Sequence, residues 1–150
     1  WAGAREGIVA IDIDGDGAIT SVAELIGNKS DCDGRDCYDG IAALAAYDKA
    51  DRGGNEDGVI DDKDQVYDRL LVWVDANSDG ESQTGELSSF ATHGILSINL
   101  EPTHCVERRD AGVLAGKIQV LTKNGFRAAF DTWFKVELKV GNLSTFLPRM

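Results

Sequence analysis

From Asp75 to Glu86 the chain reads DANSDGESQTGE, a run of residue types suited to holding a hard, doubly charged cation. Asp75, Asn77 and Asp79 take its first, third and fifth places, Gly80 the sixth and Glu86 the twelfth. That is the spacing at which a loop wraps a calcium ion. Alternate side chains turn their oxygens inward, the seventh residue (Glu81) offers its backbone carbonyl, and a long carboxylate closes the cage with both oxygens. The sixth place takes glycine because the backbone there bends through a conformation that strains other residues.

The pattern recurs twice. In DIDGDGAITSVAE, Asp12, Asp14, Asp16 and Gly17 hold the expected places and Ala18 gives a carbonyl. The twelfth residue is Ala23 and the acid comes one later, at Glu24, so a short helix starting near Ser21 must swing Glu24 onto the ion. The third copy is less regular. Counted back from Gly58, Asp57 and Asn55 are in place, Val59 supplies the carbonyl, and Asp61 and Asp64 fill the later positions. The first place falls on Gly53, which has no ligand to give. Asp48 or Asp51 must reach in across an enlarged loop, and Asp48 is favoured because it ends the incoming helix.

Composition agrees with three cation sites. The net charge of the 150-residue chain is −11, and eleven acids stand at side-chain ligand places or beside them in these three stretches: Asp12, Asp14, Asp16, Glu24, Asp48, Asp57, Asp61, Asp64, Asp75, Asp79 and Glu86. Three divalent ions, six positive charges, bring −11 to −5. Such acidity repels phosphates and argues against a nucleic-acid partner. No run of apolar residues is long enough to span a membrane. Two segments of one domain are expected, 1–94 carrying the loops and 95–150 carrying strands. Cys32 and Cys37 lie close together in SDCDGRDCYDG, and Cys105 stands apart beside His104. A Cys32–Cys37 disulfide with Cys105 left over, three free thiols, and a zinc site from Cys32, Cys37, His104 and Cys105 are the alternatives. Asn28 and Asn142 begin glycosylation sequons, a pattern that also arises by chance. The chain begins at Trp1 without Met or signal peptide, as a processed product or a fragment would.

The elements that must position these loops follow from periodicity. Gly7 to Ile13 alternates as a strand running into the first loop. Tyr38 to Asp48 repeats apolar residues at helical spacing, as Ile41, Leu44, Ala45 and Tyr47. Asp61 to Val74 opens with acids suited to a helix start and places Val66, Leu70 and Val74 on one face, so a helix is expected there. Glu86 to His93 is expected as an exit helix stopped by Gly94. Beyond it the pattern turns to strands: Ile95 to Leu100, Val113 to Thr122, a turn at Asn124-Gly125, then Phe126 to Val140. In that last strand Phe130, Thr132, Phe134, Val136, Leu138 and Val140 are expected on the packed face, with Asp131, Trp133, Lys135, Glu137 and Lys139 opposite. The predicted class is α+β: an N-terminal half of short helices joined by three calcium loops, and a C-terminal antiparallel β-sheet.

The order GIVAIDIDGDGAITSVAELIG, DGIAALAAYD, then GGNEDGVIDDKDQVYDRLLVWVDANSDGESQTGELSSFATHGILSINL resembles the EF-hand-like calcium module of large secreted bacterial proteins. That module occurs beside repeats-in-toxin (hemolysin-type) sequences. The resemblance covers about two thirds of the chain and includes the displaced Glu24 and the enlarged Gly-Gly-Asn loop. One branch, the self-processing modules of iron-regulated repeats-in-toxin proteins, cuts its own chain at an Asp-Pro bond when calcium binds. The two prolines here follow Glu101 and Leu147, so no scissile Asp-Pro is present and that activity is not carried over.

The function expected is an extracellular calcium-binding structural module with about three Ca2+, part of a surface protein, adhesin or filament. Its partners would be other domains of a larger protein or copies of itself. A calcium sensor, or a remnant of a self-processing module, is the alternative. Sensor grooves are rich in methionine, and this chain has one, Met150. No GxSxG, HExxH, phosphate loop or nucleophile–base pair points to an enzyme.

Overall fold

The computed structural model describes residues 6–83, 85–109, 112–134, 137–140 and 143–146, with side chains in 6–83, 85–103 and 113–132. Strand β1 (Ile8–Ile11) leads into the first acidic loop. A single α-helix among the described residues, α1 (Gly40–Tyr47), leads into the second, with Asp39 and Asp48 as its caps. Then come β2 (Val59–Ile60), β3 (Leu70–Trp73), β4 (Leu87–Ser89), β5 (Ile95–Asn99), β6 (Thr103–Arg109), β7 (Gly112–Thr122) and β8 (Gly125–Phe134). A short hairpin, β9 (Glu137–Val140) and β10 (Leu143–Phe146), completes the described chain.

The expected helical N-terminal half is overturned, because strands carry the loops there. β1, β3 and β4 form an antiparallel three-stranded sheet, with Ile8 opposite Trp73 and Val72 opposite Ser88. Asp61 to Val74 is a 3-10 turn (Tyr67–Arg69) followed by β3, and Glu86 to His93 is β4 followed by turns. The reason lies in LLVW. A central strand is buried on both faces and so reads as a continuous apolar run, which helical spacing mimics. Leu70, Val72 and Trp73 are all buried. In ELSSFATH a serine side chain bonds the nearby backbone, with Ser89 Oγ accepting from Thr92 N–H, and the helix does not form.

The second sheet runs β2-β5-β7-β6, with β8 on the other side of β7. The hairpin turn falls at Lys123-Asn124, with Gly125 at φ 102°, and pairs Thr122 with Gly125. Helix α1 lies on this sheet. Ile41 packs over Gly116, where an added Cβ would come within 2.8 Å of its Cδ1, and Gly40 N–H donates to Asp131 Oδ1. This contact reverses the expected faces of β8. Asp131 shares the helix side with Ala129, which packs against the core, while Phe126 and Phe130 are 67% and 41% exposed. Val136 and Asn142 lie outside the described residues, as do the side chains of His104, Cys105, Trp133 and Phe134.

One core cluster joins Ile11, Ile41, Leu44, Ile60, Leu70, Phe90, Ile98 and Ile118, so both sheets and the helix share it. A smaller one, Ala10, Ile19 and Trp73, lies between the first and third loops. Cys32 and Cys37 form a disulfide, with Cα atoms 5.0 Å apart. That removes the free-thiol alternative for this pair. It also removes the zinc site, since disulfide sulfurs are not thiolate ligands.

Candidate metal centres

The three loops repeat one hydrogen-bond scheme. In the first, Gly17 N–H donates to Asp12 Oδ2 at 2.9 Å, Asp16 N–H to Asp14 Oδ1, and Ala18 N–H to Asp16 Oδ1. In the third, Gly80 donates to Asp75 at 3.0 Å, Asp79 to Asn77, and Glu81 to Asp79. In the second, Gly58 donates to Asp48 at 2.9 Å, Asp57 to Asn55, and Val59 to Asp57. Asp48 therefore stands where Asp12 and Asp75 stand. Asp51 does not: it sits exposed in a 3-10 turn, Ala50–Arg52.

Asp48 reaches that place because five residues, 49–53, loop out of the ring. Glu56 N–H and Gly54 N–H bond back to the carbonyls of Asp48 and Lys49, closing the excursion. Gly54 lies against Asp48 so tightly that an added Cβ would be 2.1 Å from its carbonyl carbon.

The closing acids are also held alike. Glu24 accepts from the N–H groups of Ile13, Thr20 and Ser21, and Glu86 from those of Ala76 and Gln83. Asp64 accepts from Asn55 and Asp61. Glu24 reaches in from the thirteenth place because Ser21 caps a 3-10 turn, Val22–Glu24, through a capping box. Burial pushes the Glu24 carboxyl up, but those backbone bonds outweigh it and hold the group below its ordinary value. The bond from Gly17 N–H leads in holding Asp12 low as well.

Sequence reasoning missed a second backbone requirement. The sixth-place glycines have φ of 82°, 80° and 78°, as expected, but the fourth place is also left-handed: Gly15, Glu56 and Ser78 at 77°, 59° and 61°. Gly15 in the first loop was the available signal.

The loops differ in how far their acids converge. Asp12, Asp14 and Glu24 each offer an oxygen within 4.8 Å of the others, the one such group among the described residues. In the other two, Asn55 and Asn77 donate their amides to Asp57 and Asp79, and Lys63 pairs with Asp57 and Asp61. The innermost acids have no such relief. Glu24, Asp48, Asp64 and Asp75 are all buried, at 1–7% exposure, and no lysine or arginine pairs with any of them among the described residues. Asp48 Oδ1 is buried with no hydrogen-bond partner at all. Carboxylates are rarely buried unless paired or bound to metal. An all-oxygen donor set of this kind, with one orphaned buried oxygen, fits a hard cation such as calcium.

Comparison with known sequences matches residues 1–135 to the SPM domain. The chain belongs to the SPM domain family. This SPM chain is 38% identical over 101 residues to iron-regulated protein FrpA of Neisseria meningitidis serogroup C. The match covers 67% of the SPM chain and 9% of FrpA, so the chain spans a small part of that relative's length.

The structure brings Ser88 Oγ within 2.6 Å of His93 Nε2, a pair that sequence reasoning did not find. It is exposed, and no acid is bonded to the imidazole among the described residues. No helix among the described residues is long and apolar enough to cross a membrane.

Proposed function

We propose that this SPM domain is an extracellular calcium-binding structural module, held in shape by about three Ca2+ as part of a larger secreted protein. The observation that carries the reading is the set of four buried carboxylates, without cationic partners, at the first and closing places of three like loops. The first site would use Asp12, Asp14, Asp16, the Ala18 carbonyl and Glu24. The second would use Asp48, Asn55, Asp57, the Val59 carbonyl and Asp64, and the third Asp75, Asn77, Asp79, the Glu81 carbonyl and Glu86.

Each neighbouring acid pair in a loop repels by about 4 kcal/mol at an effective dielectric of 20. Bound calcium supplies the compensating charge, so its binding energy becomes folding energy. The chain's residues shape the ring: glycines bend it, backbone N–H groups aim the oxygens of the first and closing acids, and Asp48 Oδ1 is left without a partner. Secretion is supported by the disulfide. Outside a cell, millimolar calcium fills even sites with dissociation constants of about 10⁻⁴ to 10⁻³ M, which suits a permanent staple. The proposed role is structural, not catalytic.

Native mass spectrometry and a circular-dichroism melt with and without EDTA test the proposal. About three bound ions and a large drop in melting temperature on chelation are expected. An equally stable fold after exhaustive chelation, with no ions bound before it, would overturn the reading.

A further inference from the structure

We propose that the disulfide-closed insertion at residues 31–37 is a clamp that positions Asp48, so that the calcium affinity of the second loop depends on the Cys32–Cys37 bond. This rests on the calcium reading of that loop.

The insertion grips both ends of α1, the helix that delivers Asp48. At the N-terminal end, Asp39, two residues beyond Cys37, caps the helix by accepting from Ala42 N–H at 2.7 Å. Cys32 Sγ lies 3.7 Å from the Ala42 carbonyl oxygen. At the other end, Asp31 and Asp33 hold the looped-out stretch that follows Asp48. Lys49 Nζ is 2.7 Å from Asp33 Oδ2. Arg52 Nη2 is 2.9 Å from Asp31 Oδ2 and 3.6 Å from Asp33 Oδ1, and Nη1 donates to the Asp31 carbonyl at 3.0 Å. The same guanidinium lies over the Tyr47 ring, 5.6 Å from its centre.

Exposed ion pairs taken singly contribute little. Here they converge on one hairpin, in which Asp31 bridges Asp36 and Cys32 N–H donates to the Arg35 carbonyl. Asp33 and Gly34 turn it through left-handed φ of 59° and 80°. The disulfide closes that hairpin across its neck. Asp33, a non-glycine residue, is thus held in left-handed backbone at the tip of the hairpin.

Opening the bond with a dithiol moves two electrons and two protons to the cystine, leaving two thiols while the dithiol becomes its own disulfide. Asp31 and Asp33 then lose their fixed spacing, and residues 49–53 lose their anchor. Asp48 occupies its place in the ring a smaller fraction of the time, and observed affinity falls by that fraction. Among the described residues, no hydrogen bond or ion pair joins the insertion to the first or third loop.

The test is calcium titration by calorimetry of the intact chain, the Cys32→Ser/Cys37→Ser variant and an Arg52→Gln variant that keeps the disulfide. Each is repeated in an Asp48→Asn background. One site should weaken about tenfold in both variants while two stay unchanged. In the Asp48→Asn background neither change should have any further effect. Unchanged affinities overturn the clamp, as do equal losses at all sites or losses that persist without Asp48. An unaltered chain that binds no calcium would instead overturn the calcium reading beneath it.

Discussion

Gly54 has no side chain because Asp48 occupies the space where one would go. Ala at this position would push the Asp48 backbone off the ring, so Gly54→Ala is expected to weaken the second calcium site more than tenfold and spare the other two. Stepwise titration of the variant measures it. Glu24 carries a pH dependence of predictable sign. Burial raises its pKa, bonds from Thr20, Ser21 and Ile13 lower it more, and the net value lies below the unfolded 4.5. Its stabilisation is complete above 4.5 and disappears as pH falls through the depressed folded value. The calcium-free chain should therefore lose part of its denaturant midpoint once pH drops below 4.5, and Glu24→Gln should remove that part. The shape of these loops was legible, because alternating oxygen-bearing residues with a sixth-place glycine set the turn locally. The choice of Asp48 over Asp51 was open, since it depends on how far five looped-out residues turn back.

At the scale of elements, the first and third loops are tied together at their eighth places. Ile19 N–H donates to Ser82 Oγ at 2.7 Å, and that hydroxyl donates to the Ile19 carbonyl at 3.3 Å. The second loop pairs elsewhere, through Ile60 opposite Ile98 of β5. Calcium binding at the first and third loops should consequently be cooperative, with the second independent. Ser82→Ala is expected to lower the Hill coefficient of that pair while leaving three ions bound, as direct calcium-binding isotherms would read. Helix α1 was visible in its spacing, and β1, β5 and β7 in theirs. β3 and β4 were not, because apolar LLVW satisfies helical and strand patterns equally until its neighbours on both sides are known.

The whole molecule is coupled by the shared core. Ile11 beside the first loop, Leu44 and Ile60 near the second, and Leu70 before the third meet Ile98 and Ile118 of the larger sheet. Losing the ions should therefore disturb the sheet as well as the loops. Fluorescence of Trp73, buried with its Nε1 3.4 Å from Glu86 Oε2, should report the third loop. It should change at the same chelator concentration as the β-signal in circular dichroism; two separate transitions would show the coupling to be weak.

By itself, the sequence determined the acidic rings of the first and third loops, the sixth-place glycine hinges, the helix that precedes Asp48 and the β-rich C-terminal stretch. All of these are set by residues within about a dozen positions of one another, where spacing alone carries the information. Only the tertiary structure decided that β1, β3 and β4 form a sheet, that Asp131 turns toward α1 and leaves Phe126 and Phe130 exposed, and that Asp31 and Asp33 reach Arg52. Those outcomes depend on which surfaces meet after the chain folds back, and a local pattern that suits both faces of a strand holds no record of its eventual neighbours.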